Sequence, residues 1–311
     1  MSTYGGDYGN WMKDVFETPF TAKTGISVEH DIGENNARYS KMKTFRKQPR
    51  FQLVTLQDRY LFQSAHDGLL EKIDYTKVFN AADIPDTFKT PEWLAYQYVA
   101  IGIIYNSEKV KKPPRNWEDL LSDDYKGRIF IDDFNHFGLH VVIALAKALG
   151  GGYDNIKPGL DVIRKIKERL NPRFISTSQE GTKLLASGEV DVAMWQSARA
   201  LTLKANGKPI EYVVPETGDV AVAYGSGIVK GGGAQPWGEA YLNEAADPAL
   251  QARFSSEKVL GYPTNKKATL APKYAALLKR PEKDNQFAVD YAEVLPRLAD
   301  WTKLWNRTIA G

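Results

Sequence analysis

The run Tyr98-Val99-Ala100-Ile101-Gly102-Ile103-Ile104-Tyr105-Asn106 constrains the fold more than any other stretch of the chain. It is nearly all apolar and rich in β-branched residues, so a strand built from it must be covered on both faces. Strands of that kind belong inside an α/β sheet flanked by helices. The stiff polar segment Lys111-Lys112-Pro113-Pro114 follows and is expected to carry the chain across a domain boundary.

Strand and helix patterns alternate along the rest of the chain. After Tyr4, the loop Gly5-Gly6-Asp7 leads into an amphipathic helix with Trp11, Val15 and Phe16 on one face. Asp7 or Asn10 is expected to cap it, and Ile26-Ser27-Val28 reads as the next strand. Together these form a βαβ unit, and the first amides of its helix suit a carboxylate or other anion. A helix over residues 36–45 precedes the buried strand 51–56, which exits into Gln57-Asp58-Arg59.

A second series begins with the strand 127–131, which ends in Asp132-Asp133-Phe134. Helices follow to Ala148 and over 159–170, and Ser176-Thr177-Ser178 offers a cap for the helix 180–186. Residues 188–194 then read as a buried strand that delivers Trp195 and Gln196. The strand 220–229 holds Tyr224-Gly225-Ser226 in its middle, and from Ala234 the chain is helical in several pieces, with Gly261-Tyr262-Pro263-Thr264-Asn265 as a turn. Polar residues at the carboxyl ends of strands are where open α/β sheets bind ligands.

Composition removes several function classes. The 311 residues are long enough for two cores. The chain carries 41 basic against 38 acidic residues, a net charge of +3, which gives no reason to expect nucleic acid as a partner. With no cysteine, thiolate metal sites and cysteine nucleophiles are excluded. The abrupt start Met1-Ser2-Thr3-Tyr4 reads as the end of a strand, as expected of a mature sequence restarted with a new Met.

Several segments, in order, resemble a known family: residues 20–28, Phe51-Gln52-Leu53-Val54, residues 69–74, Ile103-Ile104-Tyr105-Asn106, Trp117-Glu118-Asp119-Leu120, Tyr125-Lys126-Gly127-Arg128, residues 188–193 and Gly261-Tyr262-Pro263-Thr264. Over essentially the whole length the chain is similar to the periplasmic solute-binding proteins of ABC importers, in their spermidine/putrescine-binding branch. The resemblance implies an α/β, two-lobed periplasmic-binding fold (type II), each lobe a mostly parallel sheet flanked by helices, with crossover strands as hinge and the solute trapped between the lobes. Lobe 1 is expected at 1–106 with 227–273 and lobe 2 at 107–226, with 274–311 a helical segment packing across both. It further implies a periplasmic monomer whose signal peptide is already removed, a small-molecule solute, a membrane permease as partner, and neither cofactor nor catalysis.

Carried over position by position, the resemblance places ligand contacts at Tyr4, Gly5, Gly6, Asp7, Gln57 and Arg59, at Asp132, Asp133 and Phe134, at Trp195 and Gln196, and at Tyr224, Gly225 and Ser226. Trp195 and Tyr224 are expected to stack on the solute. The chain departs from a polyamine binder on the return strand, where the expected acid gives way to the Gly225-Ser226 region. Asp132-Asp133 remains as the one obvious cation site, while Arg59 and the Gly5-Gly6 amides suit a carboxylate. The expected solute therefore carries an amine together with a carboxylate or hydroxyls, as an opine-like sugar–amino acid conjugate does. The alternatives are a polyamine and, from another class, a metal-dependent enzyme using His136 and His140.

Overall fold

The computed structural model describes residues 1–310 and divides into two units: Met1–Tyr98 with Val222–Leu278, and Val99–Ala221 with the chain from Lys279. Unit 1 opens with β1 (Ser2–Thr3), α1 (Gly6–Met12), a π-helical turn (Lys13–Glu17) and α2 (Thr18–Thr24). It continues through β2 (Asp31–Ile32), α3 (Asn35–Thr44), β3 (Leu53–Gln57) and α4 (Asp58–His66) into β4 (Trp93–Asn106). Unit 2 then holds β5 (Ile129–Asp132), α5 (Leu139–Ala148), α6 (Lys157–Leu170), β6 (Arg173–Ile175), α7 (Ser178–Ser187), β7 (Val192–Gln196), α8 (Ser197–Ala205) and β8 (Ile210–Val213). The strand β9 (Val220–Ile228) leads back to α9 (Trp237–Ala245), α10 (Pro248–Arg253), β10 (Tyr262–Pro263) and α11 (Pro272–Leu277) of unit 1. Unit 2 closes with β11 (Phe287–Ala288), α12 (Tyr291–Val294) and α13 (Leu298–Ala310).

In unit 1, β1 pairs in parallel with β2 and β3, and β3 lies antiparallel to β9 with Leu53 opposite Ile228 and Gln57 opposite Tyr224. Side chains alternate across β4. Leu94 and Tyr96 enter the core built on Met12, Val15, Phe16 and Phe254, whereas Trp93 and Ala95 enter the one built on Val54, Leu56 and Leu61. Both faces are covered at this end of β4, the apolar run that follows is buried throughout from Val99 to Ile104, and each fully buried aliphatic or aromatic side chain contributes roughly 1.5–3 kcal/mol.

In unit 2, β7 runs antiparallel to β4 and parallel to β5, which is parallel to β6. The strand β8 pairs with the far end of β4, and β11 pairs with Val220 and Ala221 of β9. Arg280 holds buried Asp219 at 2.7 Å, tying the terminal segment to the start of β9.

The domain boundaries differ from those expected at 106 and 227. The chain changes unit inside β4, after Tyr98, and inside β9, after Ala221, and residues from Lys279 onward fall in unit 2. Nothing in the apolar pattern changes at these points, because each strand continues unbroken through the boundary. The Lys111–Pro114 segment lies wholly within unit 2.

Three local expectations also shift. Ile26, Ser27 and Val28 form no strand, since β1 is only two residues long and its register selects Asp31 and Ile32. The expected turn at 261–265 contains β10, antiparallel to β4. Gly5, not Asp7 or Asn10, stands at the N-cap of α1, and the positive φ of Gly6 (+59°) begins the helix without a side-chain cap.

Candidate functional site

In unit 1 the carboxyl ends of β1 and β3 and the start of α3 converge on one residue. The Oδ1 of Asn35 accepts the Tyr4 hydroxyl at 2.7 Å, the Gln57 amide at 3.1 Å and Arg38 Nη2 at 3.1 Å. Arg38 is fully buried; its Nη1 donates to the Thr55 carbonyl, and its guanidinium carbon lies 3.9 Å from the centre of the Tyr4 ring. Burial pushes the Tyr4 hydroxyl above its usual pKa, with the Arg38 charge pulling the other way.

Half-buried Tyr4, Tyr8 and Tyr224 form an aromatic cluster, with ring centres 4.9 Å apart for Tyr4–Tyr8 and 6.2 Å apart for Tyr8–Tyr224. The Tyr8 hydroxyl meets that of Tyr96 at 3.0 Å and accepts Gln97 Nε2 at 3.1 Å. Gly5 and Gly6 sit at the start of α1 with exposed Asp7 in its first turn.

The other expected unit 1 residues have structural partners. Asp58 accepts the Arg59 amide at 2.7 Å and the Ala223 amide at 2.9 Å, fastening α4 to β9. Arg59 is buried on α4, its guanidinium carbon 5.3 Å from the centre of the Tyr60 ring. Ser226 bonds Thr55 inside the sheet at 2.9 Å, and a Cβ on Gly225 would come within 2.2 Å of the Leu94 carbonyl oxygen. Of the three return-strand residues, only Tyr224 is partly open to solvent.

In unit 2 the site is centred on Asp132, the last residue of β5. Its buried carboxylate accepts Trp195 Nε1 at 2.9 Å and lies 2.9 Å from His136 Nδ1 at both oxygens. Gln196 Nε2 donates to Ser178 Oγ at 2.9 Å, and Ser178 Oγ stands 3.4 Å from His136 Nε2. The Gln196 amide and Trp195 indole nitrogens only donate, to Ser178 and Asp132 respectively; a neutral His136 that donates from Nδ1 to Asp132 leaves its Nε2 to accept the Ser178 hydroxyl. Burial raises the Asp132 carboxyl above the ordinary aspartate range, with His136 and the indole N–H opposing that rise.

Asp133 caps the π-helical turn Phe134–Gly138 by accepting the Asn135 amide at 2.8 Å. Phe134 is buried against Trp305, with ring centres 5.4 Å apart. Trp195 is fully buried, edge-on to Phe130 and covered by Gly181 of α7, where a Cβ would reach within 2.8 Å of the indole. The structure thus brings Asp132, Trp195 and Gln196 together, with Trp195 positioning the carboxylate, and sets Asp133 and Phe134 apart as cap and core.

Two pairs of residues emerge that are not among the expected ligand contacts. Asn35 and Arg38 were hidden because the second strand was expected at 26–28, which left the start of α3 away from a carboxyl edge. His136 and Ser178 were hidden because His136 was weighed with His140 as a metal pair, whereas His140 Nε2 meets Tyr291 at 2.9 Å. No cluster of three His, Asp or Glu able to hold a metal occurs among the described residues. Among them, too, no helix is long and apolar enough to cross a membrane.

Comparison with known proteins fits these observations. The family model described as bacterial extracellular solute-binding protein matches residues 52–291. The spermidine/putrescine-binding periplasmic protein of Escherichia coli K12 is 26% identical over 211 residues, 65% of this chain and 60% of that protein. The chain thus spans about three fifths of the length of that curated relative. An ABC transporter substrate-binding protein from Bradyrhizobium japonicum USDA 110 superposes with a TM-score of 0.84 at 22% identity, covering 99% of this chain and 98% of that one. The binding protein AgtB from A. tumefaciens R10, solved with agropinic acid, has a TM-score of 0.79 at 19% identity, covering 100% and 98%. On the family match, which takes in most of its length, this chain belongs to the bacterial extracellular solute-binding proteins.

Proposed function

We propose that this protein is the periplasmic substrate-binding component of an ABC importer, that it performs no catalysis, and that it captures a small polar solute carrying a carboxylate or hydroxyls, with or without an amine, for delivery to a membrane permease. The observation that carries the solute class is the hydrogen-bond count around Asp132. Its oxygens are engaged by His136 and Trp195, so the acid that a diamine would need is already paired inside unit 2. In unit 1, buried Arg38 makes no ion pair with an acid among the described residues, which favours an oxygen-rich solute there.

The Escherichia coli relative is named for spermidine and putrescine, and the aromatic cluster of Tyr4, Tyr8 and Tyr224 would suit an alkyl chain of either kind of ligand. The charge pattern separates the two. A thermal-shift screen of putrescine, spermidine, 4-aminobutyrate, 2-aminoethylphosphonate and agropinic acid tests the reading: stabilisation by an acid-bearing solute without turnover is expected, and stabilisation by polyamines alone rejects it. Small-angle scattering with a saturating solute is expected to show a smaller radius of gyration, as ligand-driven closure requires.

A further inference from the structure

We infer that Asn35 reads the solute, its side-chain N–H2 donating to a carboxylate, phosphonate or hydroxyl oxygen at the carboxyl edge of unit 1. The orientation of this amide follows from its partners. The Gln57 main-chain N–H and the Arg38 guanidinium can only donate, so the atom facing both must be the oxygen of Asn35. With the Tyr4 hydroxyl added, that oxygen accepts three hydrogen bonds and is saturated.

The amide nitrogen is left as a pure donor. It makes no hydrogen bond among the described residues, and Asn35 is half-buried, just past β2 and beside half-buried Tyr4. A fixed donor backed by a buried guanidinium favours an oxygen ligand and opposes an ammonium. Arg38, enclosed behind Tyr4 and Asn35, acts as a positioning residue: it orients the amide and supplies positive potential without touching solute.

The inference rests on the proposed solute class and is tested with the intact protein. Asn35→Asp keeps an acceptor for all three donors and replaces the outward N–H2 with an oxygen. Asn35→Ser keeps an acceptor and lacks the N–H2. By titration calorimetry, both variants are expected to bind the most stabilising acid of the panel at least tenfold more weakly, with Asn35→Asp shifting the preference toward putrescine. The melting temperature of unliganded Asn35→Asp is expected to match or exceed that of the wild type, because the new carboxylate faces Arg38. If the wild type binds an acid and either folded variant binds it equally well, Asn35 does not read the solute, although the proposed function survives. If the wild type binds none of the acids, the proposed function fails and this inference falls with it.

Discussion

The two units present unlike carboxyl edges. In unit 1 a buried guanidinium, Arg38, has neutral partners only: the Thr55 carbonyl, the Asn35 amide and the Tyr4 ring. In unit 2 a buried carboxylate, Asp132, is closed by two N–H groups, at the end of a relay that uses Gln196, Ser178, His136 and Trp195. Burying a charge is costly unless hydrogen bonds compensate: Asp132 is met at both oxygens, whereas Arg38 is met at Nη1 and Nη2 and keeps a buried Nε without a partner. The edges leave different remainders: unit 1 keeps a donor on Asn35, whereas the buried acid of unit 2, Asp132, is already paired. A charge seen in the sequence is therefore not yet a binding group, because its neighbours decide whether it is available.

The comparison can be broken most forcefully at Trp195. Trp195→Ala empties a fully enclosed site and removes one donor to Asp132, so a loss of about 3–5 kcal/mol is expected in chemical denaturation. Trp195→Phe keeps most of the packing and is expected to cost about 1–3 kcal/mol, the charge of an unmet buried acceptor. Equal stability of Trp195→Phe and wild type would show that Asp132 does not depend on the indole.

On the unit 1 side, Asn35→Ala strands the Gln57 amide, Arg38 and the Tyr4 hydroxyl, an expected loss of about 1–3 kcal/mol in the same assay. The reverse experiment is His136→Ala, which exposes one side of Asp132 to an incoming ammonium. Putrescine, for which the wild type is expected to show no binding, is expected to give detectable saturable binding to this variant by calorimetry, a gain of about tenfold or more, ~1.4 kcal/mol. No gain would mean that His136 is not what closes the acid.

The smallest expected effect is a pH dependence. Because burial raises the folded-state pKa of Asp132, the folded protein holds this proton more tightly than the unfolded chain. The group thus costs stability above its folded pKa, and that cost is relieved as pH falls through it toward the ordinary aspartate value. Comparing wild type with Asp132→Asn, the wild type is expected to gain on the variant as the pH is lowered through this window; a pH-independent difference would remove Asp132 as the source.

Much of the fold is legible in the sequence because burial on both faces of β4 leaves a run of apolar residues that no other element explains. The capped start of α7 is legible too, since Thr177 needs only the Glu180 amide three residues away. The candidate site is less legible. Asp132 is named by its place at a strand exit, but its partners His136 and Trp195, and Ser178 behind His136, come from three elements, and pattern within one element cannot show that they meet. Asn35 and Arg38 are lost to a shift of strand β2, an error of a few residues that moves a helix start away from the sheet edge. Gly225 is expected among the ligand contacts; in the fold its missing side chain makes room for the neighbouring backbone at Leu94.

The central claim is that this protein takes oxygen-bearing solutes and not diamines, and 4-aminobutyrate and putrescine test it with chains of equal length that differ at one end. Titration calorimetry of the wild type with these two, alongside agropinic acid and 2-aminoethylphosphonate, is expected to show saturable one-to-one binding for at least one acid and none for putrescine at the same concentration. Saturable binding of putrescine with no response to any of the acids would contradict the account.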